Sequence, residues 1–247
     1  MKKRPAREAK PGIQSRFSPA RGNLPADVFD ELRNLIVLGK LAPGTWIVEA
    51  DLAKRLKFSR TPIRSALQSL AREGYLVAHS TGKKSRMRVS PLTKEDGKEI
   101  FYIVGHIESL ACLHTAALPA ETRGKLSRKL AKINSALREI AKRSKAEPDR
   151  ILELDANFHD LIVSASSGPR LMALHRSIKP QTKRYFRLYA GYFINDLHLS
   201  VSEHDDIIKA ISAGDAKGAE KAMQANWHNG ASRLATIIEL FGEHGNW

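Results

Sequence analysis

The stretch Ser59-Arg60-Thr61-Pro62-Ile63-Arg64 sets two arginines four residues apart around a proline suited to the first turn of a helix. That spacing projects Arg60 and Arg64 from the same side of the helix start. A guanidinium there can pair bidentately with guanine O6 and N7 in a DNA major groove, worth about 1–3 kcal/mol of discrimination. Ser59, Thr61 and the exposed N–H groups of the helix start suit phosphate oxygens. A second constellation, Asp155-Ala156-Asn157-Phe158-His159, puts a carboxylate and an imidazole at i and i+4, within reach of one metal ion. Both patterns also occur on ordinary solvated helix faces, so the elements around them decide.

Residues 26–91 supply a framework for the arginines. Val28, Leu32, Leu35, Ile36 and Leu38 form one apolar helical face, closed by Gly39. Leu41-Ala42-Pro43-Gly44-Thr45 reads as a turn in which glycine takes a positive φ. Trp46–Val48 reads as a short strand leading into a second helix, Glu49–Leu56. Ser59 or Thr61 caps the third helix, whose buried face is Ile63, Ala66, Leu67 and Leu70 and which ends near Gly74. Tyr75-Leu76-Val77 and Met87-Arg88-Val89 then form a β-hairpin with a basic tip at Gly82, Lys83 and Lys84. The expectation is a winged helix-turn-helix with the two lysines on the wing, against phosphates or in a minor groove.

After Pro91 no convincing strand appears. Helices are expected over roughly Lys94–Leu118, Ala120–Ser144, Asp149–Ala165, Arg170–Ile194 (broken near Pro180), Leu199–Ala213 and Asp215–Phe241. Six amphipathic helices with short connections make an antiparallel all-α bundle over 92–247. The fold expected is therefore mainly α in two domains, behind an arm over 1–25 whose composition reads as disordered and basic.

The net charge of +15 is uneven: residues 1–25 and 26–91 each carry +6, and the remaining 156 only +3. That places the cationic field where a polyanion would be met. Cys112, the single cysteine, excludes an intrachain disulfide framework and a cysteine-based zinc site, and reads as a buried thiol. No run approaches the roughly 18 apolar residues that span a bilayer, and no apolar segment follows the basic N-terminus, so a cytoplasmic protein is expected.

The ordered motifs Leu38-Gly39-Lys40-Leu41-Ala42-Pro43-Gly44, Leu52-Ala53, Ser59 through Leu67, Leu70 and Glu73-Gly74 resemble the GntR-family winged helix-turn-helix of bacterial transcription regulators. The resemblance implies that Arg60 and Arg64 contact DNA and that Gly82 is the wing glycine. It departs from the common pattern at Ser65, where glutamate is usual, and at Lys57, where glycine is common. The segment Glu203-His204-Asp205-Asp206 through Gly214-Asp215, with Asp155-x-x-Phe158-His159, resembles the effector-binding domain of the FadR branch. That resemblance implies a divalent metal of the zinc, nickel or manganese type held by one aspartate and three histidines. Asp155, His159 and His204 match three of these ligands, while the fourth position holds Asn226, a poorer ligand for zinc-like ions. Asn226 can instead meet a bound effector.

Val104 stands where many family members carry an arginine that meets an effector carboxylate, leaving Arg184 or Arg187 as replacements. His228, two residues beyond Asn226, lies about 200° further around a helix and does not simply take its place; the other histidines (His79, His106, His114, His175, His198, His244) lack matching spacing and read as surface or core-edge residues. The aromatic run Tyr185-Phe186, Tyr189, Tyr192-Phe193 reads as core or dimer contact, or as the lining of a pocket.

The function expected is a metabolite-responsive repressor of a catabolic operon, not an enzyme. It would bind a pseudo-palindromic double-stranded operator as a homodimer and be released by a small carboxylic acid beside the metal. The rivals are a metal-dependent hydrolase built on Asp155, His159 and His204, and a sequence-nonspecific nucleic-acid-binding protein.

Overall fold

A computed structural model of the chain describes residues 24–81, 84–142 and 147–245; most of the N-terminal arm and the wing-tip residues Gly82 and Lys83 lie outside them. The described residues form nine α-helices and one two-stranded antiparallel sheet, the mainly α fold expected.

The first helix, α1 (Leu24–Val37), buries Val28, Leu32, Leu35 and Ile36 and stops before Gly39, whose φ is +68°; Leu38, expected on the same face, falls past the helix end and is exposed. Helices α2 (Glu49–Leu56) and α3 (Arg60–Arg72) follow, and Leu52, Ile63, Ala66, Leu67 and Leu70 join the α1 face in one apolar cluster. The cluster is completed by Tyr75, Leu76 and Val89 of the hairpin β1 (Leu76–Thr81) and β2 (Lys84–Val89). The hairpin register runs from Leu76↔Val89 to Thr81↔Lys84. Trp46–Val48 forms no strand: it makes one isolated bridge, Trp46↔Arg88, because α2 begins at Glu49 and leaves no length for pairing. Ser59 takes the N-cap position of α3, but its side chain makes no capping hydrogen bond.

Helices α4 (Lys94–Ala116), α5 (Ala120–Ala141), α6 (Pro148–Ser166), α7 (Pro169–Phe193), α8 (Leu197–Ala213) and α9 (Ala216–Phe241) make the bundle. Thr93 caps α4 by accepting from the Asp96 N–H at 3.2 Å, and α4 then runs through the middle of the main apolar core with α9 along it. The expected break at Pro180 does not occur. Helix α7 continues through it, with the Thr182 hydroxyl donating to the Lys179 carbonyl at 2.8 Å. Its side chains are anchored on both sides of the proline, which offsets the missing backbone donor.

The hairpin unit and the bundle meet along α7. Gln181 donates to the Glu73 carbonyl at the end of α3 (2.7 Å), and Arg184 to the Ser90 carbonyl just after β2 (2.5 Å). The chain's tail returns as well: Leu92 and His244 exchange backbone hydrogen bonds, and Gly44, at φ +78°, lies so close to Gly245 that a Cβ would sit 2.8 Å from its Cα.

Candidate nucleic-acid interface and metal centre

Burial of Ile63, Ala66, Leu67 and Leu70 turns the opposite face of α3 outward. Arg60, Thr61, Arg64, Ser65 and Gln68 line a shallow concavity there, and all five are exposed. Arg64 reaches across to Glu49 at the start of α2, with Nε and Nη2 at 3.1 and 3.0 Å from the carboxylate. That bond and the carboxylate's charge raise the Arg64 pKa further, and they leave Nη1 free of Glu49. The guanidinium is thus oriented before any partner arrives. On the wing, Arg86 lies with its guanidinium 5.2 Å from the centre of the Trp46 ring, which in turn packs edge-on against His79. Lys84 begins β2 at the wing end, beside the undescribed Gly82 and Lys83.

In the bundle, Asp155 and His159 on α6 meet His204 on α8, with one ligand-capable atom from each within 4.8 Å of the others. His159 Nε2 is 4.0 Å and His204 Nε2 3.7 Å from Asp155 Oδ1, too long for hydrogen bonds. The opposite ring nitrogens explain why these atoms converge. His159 Nδ1 lies 2.6 Å from Glu108 Oε2, so the carboxylate takes its N–H and the lone pair falls on Nε2. His204 Nδ1 lies 3.2 Å from Asn134 Oδ1, and the Asn134 amide is oriented by donating to Val201 O and Asp205. His204 Nε2 therefore carries a lone pair, is buried, and has no hydrogen-bond partner. Burial, then the positive fields of His159 and Lys179, hold His204 well below its ordinary pKa of 6.5. Two imidazoles with their Nε2 atoms aimed at one carboxylate, each with its far nitrogen tied down, fit a divalent cation.

Asn226, on α9, donates through Nδ2 to Glu203 at 2.8 Å, and Glu203 is also held by both Nη atoms of Arg233. The asparagine's amide oxygen is what remains for a cation or an effector. Asp155 also lines a cleft of about 470 Å³, mouth included, walled by Ile151, Phe186, Phe193 and Leu197, with Arg233 at its side. Arg184 and Arg187 do not line it: they face α1, in a separate cleft with Leu38 and Leu92. Tyr185 and Tyr189 are core residues.

Residues 99–229 match the FCD domain, and residues 24–82 match the bacterial regulatory proteins of the gntR family. The chain belongs to the GntR family of transcription regulators, with an FCD domain. The HTH-type transcriptional regulator YdhC of Bacillus subtilis is 24% identical over 212 residues, covering 85% of this chain and 91% of its own. The HTH-type transcriptional repressor RspR of Escherichia coli is 24% identical over 221 residues, covering 89% and 91%. The Escherichia coli protein McbR/YncC shares the fold, with a TM-score of 0.65 at 19% identity over 90% of this chain and all of that one. Both curated relatives are named as transcriptional regulators, and the family is one of regulators rather than enzymes.

The part of this GntR-family chain that sequence reasoning missed is Glu108. Fully buried on α4, it accepts from His159 (2.6 Å), His175 (2.9 Å), Lys179 (2.7 Å) and Trp227 Nε1 (2.8 Å). Burial works to raise its pKa, but Lys179 and His159 prevail and hold it well below the ordinary carboxylate range. His175, read as a surface or core-edge residue, is buried in this hub because α7 turns it inward beside Lys179, one turn away. The signal available was a glutamate inside an apolar run, Ile107–Leu118.

Proposed function

We propose that this regulator is a FadR-branch repressor of a catabolic operon, acting in the cytoplasm as a homodimer on a pseudo-palindromic operator. The observation that carries the DNA reading is the exposed Arg60, Thr61, Arg64 face of α3, set on a buried three-helix core with a hairpin beside it. Arg60 and Arg64 read base edges, Ser59 and Thr61 hold phosphates, and Gly82, Lys83 and Lys84 bring the wing to the backbone. One short recognition helix gives modest affinity, so two are needed on two half-sites. The name of RspR as a repressor supports the direction of control.

Asp155, His159 and His204 hold a divalent metal, with the Asn226 amide oxygen as the weaker fourth donor. When bound, the metal supplies a Lewis-acidic point for a carboxylate effector. The chain's own residues do the rest: Glu108 and Asn134 hold the Nδ1 side of each ring so that each Nε2 is turned to the metal, and Ile151, Phe186 and Phe193 exclude water from the apolar body of the ligand. Effector binding there shifts the winged units between spacings that fit and do not fit the operator.

The experiment is operator footprinting with excess competitor DNA, paired with native mass spectrometry of the same preparations. Arg64→Ala should weaken operator binding by about 1–3 kcal/mol and relax sequence preference at its base. Asp155→Asn should lose the metal mass while still binding DNA. Unchanged sequence preference in the arginine variant sinks the base-reading role, and an unchanged metal content in the aspartate variant sinks the metal site.

A further inference from the structure

We propose that the cleft between α1 and α7 is a second binding site, for a small carboxylate with a short apolar body. It lies on the joint between the winged unit and the bundle, and its lining shares no residue with the Asp155 cleft. Arg184 forms its floor, Arg187 stands one turn further along α7, and Ile36, Leu38, Leu92 and Leu188 supply apolar walls. The free space of about 400 Å³ includes the open mouth, so the enclosed part admits only a small ligand.

Arg184 carries the argument. The side chain is buried, yet its guanidinium bonds only neutral oxygens: Gln181 Oε1 at 3.1 Å and Ser90 O at 2.5 Å. Among the described residues it makes no ion pair. Asp96, whose charge reaches it, is engaged by the Tyr185 hydroxyl at 2.5 Å. The other buried cation of α7, Lys179, is by contrast matched at 2.7 Å by Glu108. A buried cation without a counter-charge is costly, and a guanidinium has five N–H donors of which two are used here. A carboxylate entering the cleft restores the missing charge and takes up free donors.

The rest of the cleft fits the same ligand. Arg187 is half exposed and makes only a 3.4 Å contact with the exposed Asp149, so it can turn to an incoming anion. Leu38 and Leu188, 43% and 39% exposed, leave apolar surface at the rim for a hydrocarbon body to cover. Carboxylate in, apolar tail across the leucines, is the orientation these groups specify.

The test is isothermal titration of the full-length protein with hexanoate, with benzoate, and with hexanol as the uncharged counterpart. Both carboxylates should bind saturably and hexanol should not. In metal-stripped protein, Arg187→Gln and Leu38→Glu, both at exposed positions that leave the core intact, should weaken carboxylate binding at least tenfold, and Asp155→Asn should leave it unchanged. The proposal is overturned if neither carboxylate binds, or if hexanol binds as well as hexanoate. It is equally overturned if Asp155→Asn abolishes binding while Arg187→Gln does not, which would assign the anion to the bundle cleft.

Discussion

Lys57 is the one described non-glycine residue with a left-handed backbone, at φ 60° and ψ 33°. It closes α2 by donating its N–H to the Ala53 carbonyl and makes the turn into α3, so the geometry that aims Arg60 and Arg64 depends on it. A side chain in that conformation costs about 1–2 kcal/mol, part of which is returned because glycine also loosens the unfolded chain. Lys57→Gly should therefore stabilise the protein by about 0.5–1 kcal/mol, read as a higher urea midpoint at constant slope. If the midpoint falls, the turn is not under strain. The same residue is exposed and basic beside the recognition helix, so the variant should also show a shallower dependence of DNA affinity on salt if Lys57 meets a phosphate.

Helices α6 and α8 bring Asp155, His159 and His204 together, and their placement gives acid sensitivity a definite sign. His204 is held well below 6.5 by burial first, then by His159 and Lys179, so the folded state resists a proton that the unfolded chain accepts. Stability from this histidine is complete above about pH 6.5 and is lost as pH falls below it, down to the folded value. In metal-free protein the melting temperature should drop between pH 7 and 5, by about 2–4 °C for each kcal/mol of linkage, and His204→Gln should flatten that slope. Equal slopes in both proteins would remove His204 as the cause. At this scale the sequence was readable where a period ran uninterrupted: the buried faces of α1 and α3 and the extents of α4 and α9 follow from their apolar spacing. It was not readable where tertiary contacts overrule a local rule. Pro180 predicts a break, but Lys179, Gln181 and Arg184 pin α7 on either side of it. Glu108 shows in the sequence only as a glutamate inside an apolar run, because the four donors that make it a hub lie 51 to 119 residues away in the chain. Likewise, the partners that turn His159 and His204 toward Asp155 are contributed by α4 and α5, which no spacing within α6 or α8 announces.

Across the whole molecule, α7 touches both ends of the regulatory problem. Its first half holds Glu108 through His175 and Lys179, and Glu108 holds His159. Its second half holds the carbonyl that ends the recognition helix through Gln181, and the carbonyl that leaves the wing through Arg184. On the proposed metal-binding reading, a shift of α7 driven from the Asp155, His159 and His204 cluster would move the α3 end and the β2 end together, and a stiff helix is the shortest physical route between them. Gln181 is the link to cut: its loss removes its bond to the Glu73 carbonyl and the one it accepts from Arg184, and leaves Glu108 and its donors untouched. In wild-type protein, saturating zinc should change operator affinity by a factor in the usual allosteric range of roughly 5–150. In Gln181→Ala that factor should fall toward one, while zinc affinity and metal-free operator affinity each stay within about threefold, as additivity at separated sites requires. If the factor survives in Gln181→Ala, or is already near one in wild type, α7 does not couple the two sites through this contact.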